Sequence, residues 1–280
     1  MRLASIRGDA AEYATILTPD GVIPLEQLNR LWNTDLPTSL FELIGGNHAT
    51  ALTARLAEQE LPPALPLDRV TFAPPYRRLG KIWGIGLNYR DHARDLDEEV
   101  PAQPASFMKP ATAIIGPGDA IQLPRASQRV TAEAELAVII GQRCRNVTRE
   151  EVPSVIFGYT CVLDMTAEDI LRLNPRYLTR AKSFDTFFSF GPVILTRDEV
   201  PDVRALTVQT IVDGQVRARN TVSHMTFDPF ELVHFHSQGM TLEPGDIIST
   251  GTPGAWPIEP GAVVRCEIAG FPILENPVAS

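Results

Sequence analysis

Two glutamates stand two residues apart in the stretch Thr131-Ala-Glu-Ala-Glu-Leu-Ala-Val-Ile-Ile-Gly141. The stretch opens polar and acidic, turns apolar and β-branched over Ala134–Ile140, and stops at a glycine, the pattern of a buried strand. Side chains alternate between the faces of a strand, so Glu133 and Glu135 point to one side. Neighbouring carboxylates repel, and burying them unpaired is expensive. A cation between them resolves both problems. Asp164 follows a second apolar run, Tyr159–Leu163, and offers a third carboxylate. Glu133, Glu135 and Asp164 together suit one hard divalent ion, because such ions prefer oxygen ligands and magnesium takes a few carboxylates plus water and substrate oxygens. The same Glu-x-Glu spacing also fits an exposed acidic strand edge that binds nothing.

Other residues offer acid–base and electrostatic chemistry. His92 and Asp95 lie three apart in Asn88-Tyr-Arg-Asp-His-Ala-Arg-Asp95. On a helix they share a face, and the carboxylate can orient the imidazole to deprotonate a water. With Arg94 beside them, a surface histidine in a helical ion pair is the competing reading. Lys182 lies in a basic segment with Arg176 and Arg180, but Phe184, Phe187, Phe188 and Phe190 anchor that segment in apolar surroundings. A buried lysine there can stabilise an oxyanion or enolate. The loop Thr250-Gly-Thr-Pro-Gly254 brings hydroxyls and close backbone approach that suit a carboxylate, and is otherwise a turn between strands. His234 and His236 fall on a helix begun by Asp228, where two residues differ by about 200°, so they do not form a shared site. Gly84-Ile-Gly86 lacks the third glycine of a dinucleotide loop.

Bulk properties narrow the function classes. The 280 residues carry a formal charge of −9 with no basic patch, which argues against nucleic acid and anionic membranes as partners. No apolar run approaches the ~20 residues of a membrane helix. The opening Met1–Gly8 has no apolar signal-peptide segment. Three widely spaced cysteines, Cys144, Cys161 and Cys266, fit neither a zinc knuckle nor a disulfide framework. The expected setting is the cytoplasm.

Positioning these residues requires many short strands. Residues 1–70 read as a small α+β unit: a strand pair around Pro19-Asp-Gly21, then helices at Leu25–Trp32, Ser39–Leu43 and Ala49–Leu61, ending in the proline-rich Leu61-Pro-Pro-Ala-Leu-Pro66. The boundary is placed near residue 70, with a catalytic unit over 71–280. There, Lys81–Gly86, Ser106–Lys109, Ile121–Leu123, Ile247–Thr250 and Val263–Ile268 read as strands, and Leu206–Asn220 as a hairpin turning at Asp213-Gly214. Asn88 is expected to cap the His92 helix. Thr148-Arg-Glu-Glu151 predicts a capped helix over about 149–156, and Asp228-Pro predicts one running to about Gln238. Strands dominate without βαβ alternation, so the expected fold class is α+β, mostly β: a barrel or sandwich with few helices.

Several motifs combine in order: Gly86-Leu-Asn-Tyr-Arg-Asp-His92, Phe107-Met-Lys-Pro110, Glu133–Gly141, Gly158-Tyr-Thr160, Ala181-Lys-Ser-Phe-Asp-Thr-Phe187, Leu242-Glu-Pro-Gly-Asp246 and Thr250-Gly-Thr-Pro253. In this the chain resembles the fumarylacetoacetate hydrolase family, acylpyruvase type, over roughly residues 75–278. The resemblance implies a mixed β-barrel/β-sandwich roll behind a small N-terminal domain, a homodimer, and one magnesium per subunit, with manganese or calcium as substitutes. By motif it makes Glu133, Glu135 and Asp164 the metal ligands and Lys182 the active-site lysine. It makes His92 a general base, paired with Asp95 where relatives carry a glutamate, and Lys109, Thr252 and Tyr89 substrate contacts. The implied activity is hydrolysis of a carbon–carbon bond in a small β-diketo or acylpyruvate-like oxo acid. Keto–enol tautomerase, isomerase or decarboxylase chemistry on the same site is the alternative, and a non-catalytic metabolite-binding relative is a third reading. One departure stands out: Glu168 and Leu171 replace the arginine and glutamine usual after the metal-ligand aspartate. Replacing a substrate-contacting arginine by a carboxylate inverts the local charge, unless Arg172, Arg176 or Arg180 supplies it.

Overall fold

The computed structural model describes residues 1–9, 11–46, 48–77, 80–95 and 101–279; the side chains of residues 92, 93 and 95 are outside that description. The strands are β1 (Arg2–Arg7), β2 (Glu12–Thr18), β3 (Gly21–Pro24), β4 (Phe72–Ala73), β5 (Ile82–Gly86), β6 (Ala105–Lys109), β7 (Ile114–Ile115), β8 (Val130–Ile140), β9 (Ile156–Ala167), β10 (Phe188–Thr196), β11 (Thr207–Val212), β12 (Gln215–Thr221), β13 (Ile247–Ser249), β14 (Ala255–Ile258), β15 (Val263–Ile268) and β16 (Leu274–Pro277). The helices are α1 (Leu25–Trp32), α2 (Leu40–Ile44), α3 (His48–Glu58), α4 (Arg90–Asp95), α5 (Val152–Val155), α6 (Glu168–Leu173), α7 (Leu178–Lys182) and α8 (Pro229–Gly239).

A twelve-stranded sheet runs β3-β2-β1-β10-β9-β8-β13-β5-β6, with β14, β4 and β7 paired alongside β8, β1 and β10. A four-stranded sheet, β12-β11-β15-β16, covers one face of it. The long strands β8 and β9 form the centre, and their pleat sorts residues between two cores. Ala132, Ala134, Leu136 and Val138 of β8, with Cys161, Leu163 and Met165 of β9, pack towards Val208, Val264 and Ile268 of the second sheet. Ala137, Ile139 and Val162 face the other way, into a cluster with Phe188, Phe190 and Ile247. Glu133, Glu135 and Asp164 share that second parity. The polar site is therefore a break at one end of an otherwise apolar face.

The expected N-terminal unit joins this architecture directly. Strand β1 pairs antiparallel with β10, from Arg2↔Leu195 to Ala4↔Val193. Leu3, Ile16, Leu28, Leu40 and Leu52 share one core with Ile139 and Phe190, so sheet and core are continuous across the boundary expected near residue 70.

Local expectations fare according to how much tertiary contact competes with them. The Asp213-Gly214 hairpin forms, both turn residues adopting positive φ, 52° and 73°. Asp228 caps α8 by accepting from the N–H groups of Phe230 and Glu231. The helix expected over 149–156 is shorter. The Glu151 carboxylate does accept from the Thr148 N–H at 2.8 Å, but only Val152–Val155 is helical, because Ile156 is drawn into β9. Ile121–Leu123 is not a strand; Ile121 makes a single bridge to Val278. Asp164 does not close its strand, since β9 runs on to Ala167.

Candidate metal and enolate site

The acid trio assembles through register. Glu133 on β8 lies directly opposite Asp164 on β9, and Glu135 is one pleat further along β8. Cross-strand partners point to the same face, so three carboxylates converge although 31 residues separate the strand partners. One oxygen from each lies within 4.8 Å of the other two. Glu135 and Asp164 are buried and Glu133 is half-buried, which removes the solvated-edge reading.

Two lysines enter from outside the ladder. Lys182, the last residue of α7, donates to Glu133 Oε2 at 2.9 Å and Asp164 Oδ2 at 3.0 Å. Its ammonium also stands 5.0 Å from the centroid of the Phe107 ring. Lys109, at the end of β6, donates to Asp164 Oδ1 at 2.5 Å and to the Met165 carbonyl at 3.2 Å. Burial opposes the charge of Lys182, but Asp164, Glu133 and Glu135 outweigh it and hold the ammonium above the ordinary lysine range. Burial brings Lys109 down to about 8, with Asp164 pulling back up and Lys182 pressing it lower.

Glu135 has no ammonium partner among the described residues. Its Oε2 accepts from the Ser249 hydroxyl at 2.5 Å and from the Gly251 N–H at 2.8 Å. Burial first, then the charges of Asp164 and Glu133, push its carboxyl up to about 8. A buried oxygen-only donor set in which one carboxylate lacks a cation suits a hard divalent ion. Glu133, Glu135 and Asp164 are the residues that would hold it.

The loops behind Glu135 are fixed in turn. Gly251 has φ +96°, and a Cβ on it would sit 2.8 Å from the Asn88 Cβ. Asn88 does not cap α4. Its amide donates to the Thr250 and Phe227 carbonyls and its oxygen accepts from the Phe227 N–H, so it ties the start of the α4 segment to the Thr250–Gly254 loop. Between β5 and Asn88, Leu87 adopts φ 49°, an uncommon conformation for a non-glycine residue that occurs at functional sites.

Of the remaining expected residues, Thr252 is buried in this loop, where its hydroxyl bonds the Gly254 carbonyl at 3.1 Å. Tyr89 is fully buried and its hydroxyl has no hydrogen-bond partner among the described residues. Burial, then Glu135 and Cys266, hold that phenol in its neutral form. His92 and Asp95 lie on α4, with side chains outside the described residues. His234 and His236 do go separate ways: their Nδ1 atoms bond the Val147 and Leu232 carbonyls. Gly251 realises the close backbone approach to a carboxylate expected of its loop, whereas Ser249, Thr166 and Phe107 were not anticipated as site residues. Thr166, whose hydroxyl donates to Glu133 Oε1 at 2.8 Å, was accessible from spacing, since it is one pleat beyond Asp164.

The family model of the fumarylacetoacetate (FAA) hydrolase C-terminal region matches residues 81–279. The chain belongs to that family. Oxaloacetate tautomerase FAHD2A, mitochondrial, of Bos taurus is 37% identical over 252 residues, 87% of this chain and 80% of its own. Among solved structures, 5-carboxymethyl-2-hydroxymuconate delta-isomerase from Mycobacterium smegmatis superposes with a TM-score of 0.80 at 33% identity, covering 100% of this chain and 99% of its own. Maleylpyruvate hydrolase from Sphingobium sp. SYK-6, in complex with manganese(II) ion and pyruvate, gives a TM-score of 0.81 at 31% identity over the same shares. The fold is thus the expected mixed α+β roll, and the family is one of enzymes. Among the described residues no helix is long and apolar enough to cross a membrane.

Proposed function

We propose that the chain is a divalent-metal-dependent enzyme that interconverts the keto and enol forms of a small 2-oxo acid. The observation that carries this reading is the Lys182 ammonium, held charged between Glu133 and Asp164 beside the uncompensated Glu135. Glu133, Glu135 and Asp164 hold the ion, taken as magnesium with manganese or calcium as substitutes. Bound there, the ion is a Lewis acid that polarises the oxygens of a 2-oxo acid. Lys182 supplies a fixed positive charge where an enolate oxygen develops, in a site from which water is largely excluded. Lys109 holds Asp164 in place from the opposite side. His92, oriented by Asp95, takes a proton from the carbon next to the keto group and passes it to the enolate oxygen to give the enol; in the reverse direction it takes the proton from that oxygen and returns it to the carbon. Thr252 and Tyr89 contact the substrate. The likeness to oxaloacetate tautomerase supports this outcome.

A second reading, supported by the likeness to maleylpyruvate hydrolase, is hydrolytic cleavage of an acylpyruvate. His92 then takes its proton from water. The water oxygen bonds to the distal carbonyl carbon, and the adjacent carbon–carbon bond breaks. The electron pair stays on the pyruvyl fragment as an enolate that Lys182 neutralises, and protonation of that fragment gives pyruvate.

The test is to follow enol–keto exchange of oxaloacetate by ultraviolet absorbance, and to analyse the products from acylpyruvates, with magnesium or with EDTA. Metal-dependent exchange that His92→Ala lowers about 100-fold or more supports the reading. Two acids released from an acylpyruvate select the hydrolytic form. A magnesium-loaded protein that accelerates neither reaction refutes both.

A further inference from the structure

We propose that Phe107 is a positioning residue: its ring, for which Gly84 makes room, holds the Lys182 ammonium by a cation–π contact where the enolate develops. This rests on the reading of Lys182 as the charge that stabilises an enolate. A row of paired residues crosses the sheet beside the acids. Phe107 on β6 pairs with Gly84 on β5, Gly84 with Ser249 on β13, and Ser249 with Ala137 on β8. Paired residues share a face, and so do residues two apart on one strand. The row therefore lies on the face of Glu135, one pleat from Ala137. Lys109, one pleat from Phe107, shares that face as well. Strand β6 thus sends two side chains to the site, Lys109 to Asp164 and Phe107 to Lys182.

The far end of the Phe107 ring crosses above Gly84. A Cβ at position 84 would stand 2.2 Å from its Cζ and 2.4 Å from its Cε2. Phe107 is only 7% exposed, so a displaced ring would have to push into packed neighbours. The pair Gly84-Ile-Gly86, which lacks the third glycine of a dinucleotide loop, divides here: a Cβ on Gly86 meets only the Ala105 carbonyl, at 3.5 Å, an ordinary contact. On the other side of the ring the ammonium is buried. It donates to Glu133 Oε2 and Asp164 Oδ2, and the ring centroid is 5.0 Å away. Two partners leave a nitrogen free to swing about the line joining their oxygens; a third contact limits that swing. The negative face of an aromatic ring attracts an ammonium, and the attraction is strongest where both are desolvated, as they are here. The charge that meets the enolate oxygen is then fixed from three sides, two acidic and one aromatic.

The experiment replaces Phe107 by 4-fluoro- and by 3,4,5-trifluorophenylalanine, which keep the shape of the ring and weaken its negative face, in the wild type and in Lys182→Met. In EDTA the trifluoro ring should lower the melting temperature of the wild type by about 2–4 °C. In Lys182→Met, where no ammonium faces the ring, the same replacement should have far less effect. In magnesium, kcat for the enol–keto exchange of oxaloacetate should fall at each fluorination step, about tenfold with three fluorines, while KM holds. Gly84→Ala should lower kcat comparably, and by less in a Phe107→Leu background, which has no ring to displace. Gly86→Ala should leave kcat unchanged. Equal melting shifts with and without Lys182, a kcat indifferent to fluorination, or equal losses from Gly84→Ala and Gly86→Ala overturn the inference and leave the proposed function standing. A magnesium-loaded wild type that accelerates neither the exchange nor acylpyruvate cleavage overturns the proposed function and the catalytic part of this inference, whereas the melts in EDTA decide the ring–ammonium contact by themselves.

Discussion

Lys182→Met isolates the charge at the centre of the site. The substitution keeps an unbranched apolar stem and removes an ammonium that bonds Glu133 at 2.9 Å and Asp164 at 3.0 Å, in a side chain only 6% exposed. The carboxylates are left facing Glu135 with Lys109 as their only nearby ammonium among the described residues. Removing one partner of a buried ion pair costs about 3–5 kcal/mol, because the other charge stays desolvated. At ~2 °C per kcal/mol for a chain of this size, the melting temperature of the metal-free protein should fall by about 6–10 °C. A divalent ion replaces the missing positive charge, and at 100 times its Kd it returns about 2.7 kcal/mol. The variant should also bind the ion more tightly than the wild type does, since no ammonium competes for the same oxygens. Thermal melts followed by near-ultraviolet circular dichroism, in EDTA and in magnesium, measure both effects. Magnesium should raise the melting temperature of Lys182→Met by more than it raises that of the wild type. A metal-free variant that melts with the wild type, or an equal response of the two proteins to magnesium, would refute the charge-compensation reasoning.

Two further predictions concern Glu135. Gly251→Ala forces a Cβ into a φ of +96° and to within 2.8 Å of the Asn88 Cβ. It should cost about 1–3 kcal/mol and weaken magnesium binding, because the Gly251 N–H that holds Glu135 shifts; unchanged stability and metal affinity would sink this. The second concerns pH. The folded-state pKa of Glu135, about 8, lies above its ordinary 4.5, so between those values the folded chain keeps a proton that the unfolded chain has lost. The metal-free protein should therefore lose stability from this group as pH rises from about 4.5 to about 8. The same slope should be missing from Glu135→Gln and from the magnesium-loaded protein, as melts across that pH range would show. An identical slope in all three would exclude Glu135 as its source.

The acid pair and its suitability for a divalent metal were legible in the residues themselves. Strand alternation places Glu133 and Glu135 on one side in any context, because the pleat has a period of two. Turn and cap chemistry was equally local, as at Asp213-Gly214 and Asp228. The failures occurred where a local preference met a tertiary partner: Asn88 can cap a helix, but two backbone carbonyls and an N–H from distant loops hold its side chain instead.

What the chain order could not show was which residues face one another across β8 and β9. The arginines expected to offset Glu168 were its neighbours in sequence, Arg172, Arg176 and Arg180. Arg172 does bond it, but the second partner is Arg129, 39 residues away and adjacent only because the strands pair in this register. Likewise, nothing in the chain order sets Lys109 and Lys182 against the same acid. Only the packing of α7 and β6 against β9 buries both ammoniums on Asp164. The sequence by itself determined the donor chemistry, since residue type and pleat period are local properties. The fold decided the charge balance around it, because electrostatic energy depends on distance and burial, and neither is written along the chain.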